Sequence, residues 1–273
     1  MSTHDIAVPG ATLHCEVRGS GPSLLLITGG NGDSGIYTPI ADLLSDKYRV
    51  ITYDPRGNSR SPLSTDPYPI PVEDLADDAR AVLTALADAP VAVFGSSSGA
   101  LATLDLVTRY PELVHTAVPH EPPAFELLPD AVALRAEFQH VYEVFRDEGL
   151  MAGWQAFEAV TGLDDDDDHE IDLAALPPEA QASMRRTMAN MPFFLEWEMR
   201  SFVSYRPDLD RLAKVPTRIV PAGGAASHEQ LPYQPNLLIA THLGTTVTDF
   251  PGDHTGYAEH PTEFATQLAK LLG

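Results

Sequence analysis

The sequence predicts an α/β fold, a mostly parallel central sheet with helices on both faces and an inserted block of helices. Three observations predict it. Short, continuously apolar runs alternate with segments of helical periodicity from Ser23 to Val118, the pattern of a parallel sheet with helical crossovers. That alternation gives way to helical patterning from about Ala124 to Asp210, then resumes at Thr217. The loops richest in Gly, Ser and His follow strands, at the carboxyl edge where such sheets bind ligands.

In order along the chain, residues 4–18 read as a hairpin, with Asp5 to Val8 and Thr12 to Val17 joined by a turn at Pro9-Gly10. Ser23 to Thr28 is apolar enough for a buried strand and ends in Gly29-Gly-Asn-Gly-Asp-Ser34, a loop able to present bare backbone N–H groups. A helix is predicted at Pro39 to Ser45, a strand at Arg49 to Tyr53, and a loop at Asp54 to Pro62. Glu73 to Ala87 carries Leu75, Ala79, Val82, Leu83 and Leu86 at helical spacing. The apolar run from Val91 enters Gly95-Ser-Ser-Ser-Gly99, a helical pattern follows from Ala100 to Arg109, and Val114 to Val118 reads as a strand. The helical interval is broken at Gly149, Gly162, Pro177-Pro178, Pro192 and Pro207. Beyond it come strand Thr217 to Ala222, helix Leu231 to Leu243, strand Thr246 to Phe250 and helix Pro261 to Leu272. The predicted division is a core of residues 1–123 and 211–273 and a helical lid of residues 124–210.

Composition narrows the function. The 273 residues are 44% hydrophobic, enough for a substantial core, and contain no apolar run near the length of a membrane span. The N-terminus lacks a basic region followed by an apolar block, and the single cysteine, Cys15, forms no intramolecular disulfide; both point to a cytoplasmic protein. The formal charge of −22, from 39 acidic and 17 basic residues, argues against nucleic-acid and anionic-membrane partners. The acidic run Asp164 to Asp168 lacks the alternating ligands and turn glycine of a calcium loop, so it is expected to be an exposed loop. No metal or organic cofactor is implied, and no feature sets an oligomeric state.

The strand, sharp turn and helix around Ser97 form a G-x-S-x-G elbow, which strains the central residue and holds its hydroxyl over the sheet edge. A serine hydroxyl needs an adjacent base. Among ten histidines, His254 is the expected one, in Gly252-Asp-His-Thr-Gly256 between the last strand and the last helix. Oxyanion donors are expected from the Ser98 N–H at the helix start and from the loop after Thr28, Gly30 first and Asn31 next. His120 and His228 follow strands and are further pocket candidates.

These residues resemble the α/β-hydrolase fold superfamily, particularly its lidded esterase, lactonase and perhydrolase-like members. The matching pieces are Thr28-Gly-Gly-Asn-Gly, Asp54-Pro-Arg-Gly-Asn-Ser-Arg-Ser61, the Gly95 to Gly99 elbow and Gly252-Asp-His254, in family order. The resemblance implies a bracing role for Asp54 and Arg56. It also implies an acid after the strand that follows the lid, but Ala226 stands there. Some members carry the acid at the end of the strand before the lid, which here is Glu121. Glu229 is the next candidate, and a site without an acid the third. The expected function is a serine hydrolase of an ester, lactone or thioester with Ser97, His254 and Glu121 catalytic. The substrate would be a small molecule, apolar or bulky, lined by Asn31, His120, Trp154, Phe193 and Trp197. Two alternatives remain at this point: a non-hydrolytic lyase, cyclase or isomerase on the same fold, and a ligand-binding pseudoenzyme.

Overall fold

A computed structural model describes residues 1–30, 32–88, 90–163 and 176–273. The chain opens with the hairpin, β1 (Ser2–Val8) and β2 (Ala11–Arg18) pairing antiparallel across Pro9-Gly10. There follow β3 (Ser23–Ile27), α1 (Thr38–Leu44), β4 (Arg49–Tyr53), α2 (Val72–Leu86), β5 (Val91–Ser96), α3 (Ser98–Arg109) and β6 (Val114–His120). Five helices come next: α4 (Ala131–Glu148), α5 (Leu150–Thr161), α6 (Pro178–Phe193), α7 (Met199–Val203) and α8 (Leu209–Leu212). A π-turn, Phe194–Glu198, joins α6 to α7. The chain closes with β7 (Arg218–Ile219), β8 (Ala222–Gly224), α9 (Gln234–His242), β9 (Thr248–Phe250), α10 (Gly256–Glu259) and α11 (Pro261–Leu272).

The strands form one sheet in the order β1-β2-β4-β3-β5-β6-β8-β9, with β7 also beside β6. From β4 onward every pairing is parallel. The single strand expected at Thr217 to Ala222 is instead two short ones. Pro221 between them has no N–H to give to β6, so the ladder is interrupted there.

Strand alternation divides the core into two layers. Leu25, Ile27 and Val93 face α2, α3 and the inserted helices, meeting Val82, Leu104 and Phe138. Leu24, Leu26 and Phe94 face the other way, onto α1, α10 and α11 through Ile40, Tyr257 and Phe264. Phe94 is fully buried between the rings of Tyr37 at 5.9 Å and Phe264 at 5.6 Å. Phe94→Ala is expected to cost about 3–5 kcal/mol. The check is a drop in the urea midpoint with the slope of the transition unchanged.

Every strand from β3 to β6 ends on the same edge, which puts Thr28, Ser97 and Glu121 side by side. The inserted helices sit over that edge and are tied to it. On α6, Arg186 Nε lies 2.5 Å from Asp33 Oδ2, and Ser183 Oγ donates to Asp33 Oδ1 at 2.6 Å. Asn190 Oδ1 accepts the Ser59 N–H at 2.9 Å. The Asp164 to Asp168 run, expected as a loop, lies outside the described residues. No described helix is long and apolar enough to cross a membrane.

Candidate active site

Ser97 sits at φ 54°, ψ −125°, between the last residue of β5 and the first of α3. The left-handed backbone is costly for a residue with a Cβ, and it persists because the surroundings leave no alternative. A Cβ on Gly95 would come within 2.2 Å of the Gly99 carbonyl, and one on Gly99 within 2.3 Å of the Ile27 carbonyl. Only glycine on both sides lets β5, α3 and β3 approach this closely. Ser97 N–H donates to the His120 carbonyl at 2.9 Å, which locks the turn to the end of β6.

The loop after β3 lies directly against the elbow, so that a Cβ on Gly29 would be 2.7 Å from Ser97 Cβ. Among the described residues, no acceptor takes the N–H of Gly30 or of Ser98. Asn31, the next oxyanion and pocket candidate, lies outside the described residues.

Glu121 follows β6 directly, is completely buried, and has φ 49°, the same left-handed region as Ser97. Its N–H donates to the Ala222 carbonyl at 2.9 Å, and its Oε1 accepts the Gly224 N–H at 2.7 Å. Its Oε2 lies 2.5 Å from His254 Nδ1. Burial alone would raise this carboxyl. The His254 ring beside it, their hydrogen bond and the Gly224 N–H outweigh burial and hold it down to about 2. Glu121 is therefore an anion throughout the neutral range, aimed at one nitrogen of the ring.

His254 is 8% exposed and lines a cavity of about 290 Å³ together with Ser97 and Gly30. Glu229, the other acid considered, is exposed in the turn after β8, and His228 pairs with Asp249 at 3.1 Å away from this cavity. Ala226 occupies that turn as well, its N–H donating to the Gly252 carbonyl at 2.9 Å. Asp54 and Arg56 brace loops: Asp54 accepts from Ser34 and Arg60, and Arg56 forks onto Asp78 at 2.6 and 2.7 Å. Cys15 is buried in β2, and burial pushes its thiol up to about 12.

Three pocket expectations need correction. His120 is fully buried behind the site among Phe94, Phe250 and Phe264, and burial pushes its imidazole down to about 4. As the last residue of β6 it points through the sheet while Glu121 turns toward the edge. Phe193 packs against Gly57, where a Cβ would meet the tip of its ring at 2.3 Å. Trp197 is held by its carbonyl, which accepts the Ile70 N–H at 2.8 Å. Neither ring lines the cavity. Trp154 does line it, with Phe157, Phe194 and Tyr257. The sequence showed Phe157 and Phe194 among the large apolar residues of the insertion. It gave no means of knowing that a π-turn would set the rotation about Phe194.

Glu198, at the end of the π-turn, is a buried carboxyl that the sequence did not reveal. It is 2% exposed, faces Gly29 and Ser98, and its Oε1 accepts Asn58 Nδ2 at 2.7 Å. Burial pushes it up to about 8 from an ordinary value near 4.5, offset only in part by Asn58. Between those values the folded chain holds a proton that the unfolded chain has lost. Stability therefore falls as pH rises through that window, by up to about 1.4 kcal/mol per pH unit. Glu198→Gln, which keeps the neutral shape, is expected to remove this slope and to melt at or above the parent at pH 8. Thermal unfolding across the window checks it.

A family model described as alpha/beta hydrolase fold matches residues 22–150. An uncharacterized hydrolase, YraK, of Bacillus subtilis is 37% identical over 271 residues, covering 98% of this chain and 94% of that protein. A zearalenone hydrolase of Cladophialophora bantiana is 28% identical over 270 residues, covering 96% and 92%. Among solved structures, a thermophilic esterase from Thermogutta terrifontis superposes with a TM-score of 0.73 at 18% identity, covering 100% of this chain and 98% of its own.

Proposed function

The chain belongs to the α/β-hydrolase fold family, and from that premise we propose that it is a serine hydrolase of carboxylic esters, lactones or thioesters, working through an acyl-enzyme on Ser97. The observation that carries this reading is the Glu121 carboxylate on His254 Nδ1, at the cavity that Ser97 also lines. A proton held on Nδ1 leaves the Nε2 lone pair free to act as base.

Ser97 Oγ bonds to the carbonyl carbon while its proton passes to His254 Nε2, and the carbonyl π pair moves onto oxygen. The N–H groups of Gly30 and Ser98 receive that oxyanion, the second with the help of the α3 dipole. Collapse of the intermediate breaks the bond to the leaving oxygen or sulfur, which takes the proton from His254. Water, losing a proton to His254, then attacks the acyl carbon, and the carboxylic acid departs as the proton returns to Ser97. Glu121 stays ionised throughout and stabilises the imidazolium formed in each half.

The case for a lyase, cyclase or isomerase rests on the alanine at position 226, and with Glu121 against His254 that motive lapses. The hydrolase names of the 37% and 28% identical relatives support the hydrolytic reading. The aromatic wall of Trp154, Phe157 and Phe194 supports an apolar or bulky small-molecule substrate. The expected result is turnover of p-nitrophenyl esters that stops when one equivalent of a fluorophosphonate has reacted. No turnover across esters, lactones and thioesters of graded size would contradict the reading.

A further inference from the structure

Two unlike spaces open beside Ser97. On one side is the 290 Å³ cavity, to which His254, Asp253, Gln230 and Thr255 contribute alongside the aromatic wall. On the other is a slot of about 30 Å³ that none of those four residues lines. Its walls include Ser98, Phe125, Met199, Phe202 and Val203, and these are buried. Phe157, Leu163 and Phe194, like Ser97, line both spaces.

The chemistry of ester cleavage assigns each half of a substrate to a side. The group that takes the proton from Ser97 must later give it to the leaving oxygen, so that oxygen lies on the His254 side. His254 lines only the large cavity. The alcohol portion therefore occupies the large cavity, and the acyl chain, on the far side of the carbonyl carbon, enters the slot beside Ser98. One water-sized group needs about 10–15 Å³ of space so measured, and the slot of about 30 Å³ therefore admits about two or three such groups, each the size of a methylene.

We propose that the slot walled by Phe125, Met199, Phe202 and Val203 is the acyl site and that it limits the substrate to short acyl groups, two to about four carbons, esterified to a bulky apolar alcohol. This rests on the serine-hydrolase reading above. The reaction is the one already written: Ser97 Oγ gains the short acyl group, the bulky alkoxide leaves with the proton from His254, and water releases a short carboxylic acid. A large-ring lactone fits this arrangement poorly. Its acyl chain has to return to its own alkoxy oxygen and cannot end in a short slot.

The test is a series of p-nitrophenyl esters, acetate, butyrate and octanoate, run on the full chain and on Phe202→Ala and Met199→Ala. In the parent, kcat/KM is expected to fall by about tenfold or more from butyrate to octanoate, the scale on which a closed apolar pocket discriminates chain length. At least one slot variant should recover octanoate relative to butyrate by a similar factor. Either variant suffices should the other fail to fold, and the ratio within one preparation cancels any loss of active protein.

Octanoate turned over as well as butyrate by the parent would overturn the acyl-site assignment and leave the serine-hydrolase reading intact. A chain-length ratio unchanged in every folded slot variant would do the same. Turnover that survives Ser97→Ala, or none with any ester, would overturn both.

Discussion

Ser97→Ala is expected to lower kcat for p-nitrophenyl butyrate by about 10⁴-fold or more, with KM changed little. The expectation follows from the positions of the groups around the hydroxyl. The base can be held by Glu121 and the two N–H groups can stand free beside the elbow, yet without the hydroxyl there is no covalent route for them to serve. What is left is positioning of water by the oxyanion donors, which in serine proteases retains a small residual rate over water. The substitution should not disturb the fold. Alanine meets the same left-handed backbone at φ 54° that serine already tolerates, and the elbow is held by Gly95, Gly99 and the Ser97 N–H bond to His120. An unchanged thermal transition therefore accompanies the lost activity. Activity within tenfold of the parent would place the chemistry elsewhere.

Glu121→Gln is expected to lower kcat by about 10²-fold to 10⁴-fold. Oε1 is committed to the Gly224 N–H, so a glutamine that keeps this bond turns its NH₂ toward His254 Nδ1. An amide NH₂ can only donate there. It would drive the ring proton onto Nε2, the nitrogen that takes the proton from Ser97 in the proposed mechanism, and would also remove the negative charge proposed to stabilise the imidazolium. Glu229→Gln should leave kcat within about twofold, since an exposed surface substitution rarely costs more than a few tenths of a kcal/mol. A near-normal Glu121→Gln beside a collapsed Glu229→Gln would transfer the role of the acid.

The parts of the fold that were legible from sequence are those set by local rules. Leu24 to Ile27 and Val91 to Phe94 are continuous apolar runs because both faces of a parallel strand are covered, and the structure covers both. The elbow was legible because G-x-S-x-G between a strand and a helix is a local pattern, although Gly99 answers to the end of β3 as well as to its own turn. Glu121 could be singled out only through the family resemblance, as the residue at the end of the strand before the inserted helices, and its left-handed backbone was not foreseen.

The parts that were not legible depend on rotation about an axis or on distant packing. Phe193, Phe194 and Trp197 look equivalent in sequence. The π-turn puts Phe194 against Gly30 and leaves Phe193 on Gly57, a difference of one residue in register that composition does not encode. His120 and Glu121 are adjacent, yet one faces the aromatic layer and the other the active-site edge, because β6 ends between them. Nothing in the sequence around Glu198 marks it as buried. Its burial comes from the fit of the insertion onto Asn58, a contact between residues 140 apart in sequence. The sheet's interruption at Pro221 was visible as a residue but not as a break, since proline is also tolerated at strand ends.

Whether Ser97 is the nucleophile of a serine hydrolase is decided by treating the intact protein with a fluorophosphonate and mapping the adduct by peptide mass spectrometry. A single phosphonyl group on Ser97 is expected, absent from Ser97→Ala and much slower to form in Glu121→Gln. An unlabelled Ser97 in a protein that still cleaves esters, or an adduct on another residue that accounts for the loss of activity, would contradict it.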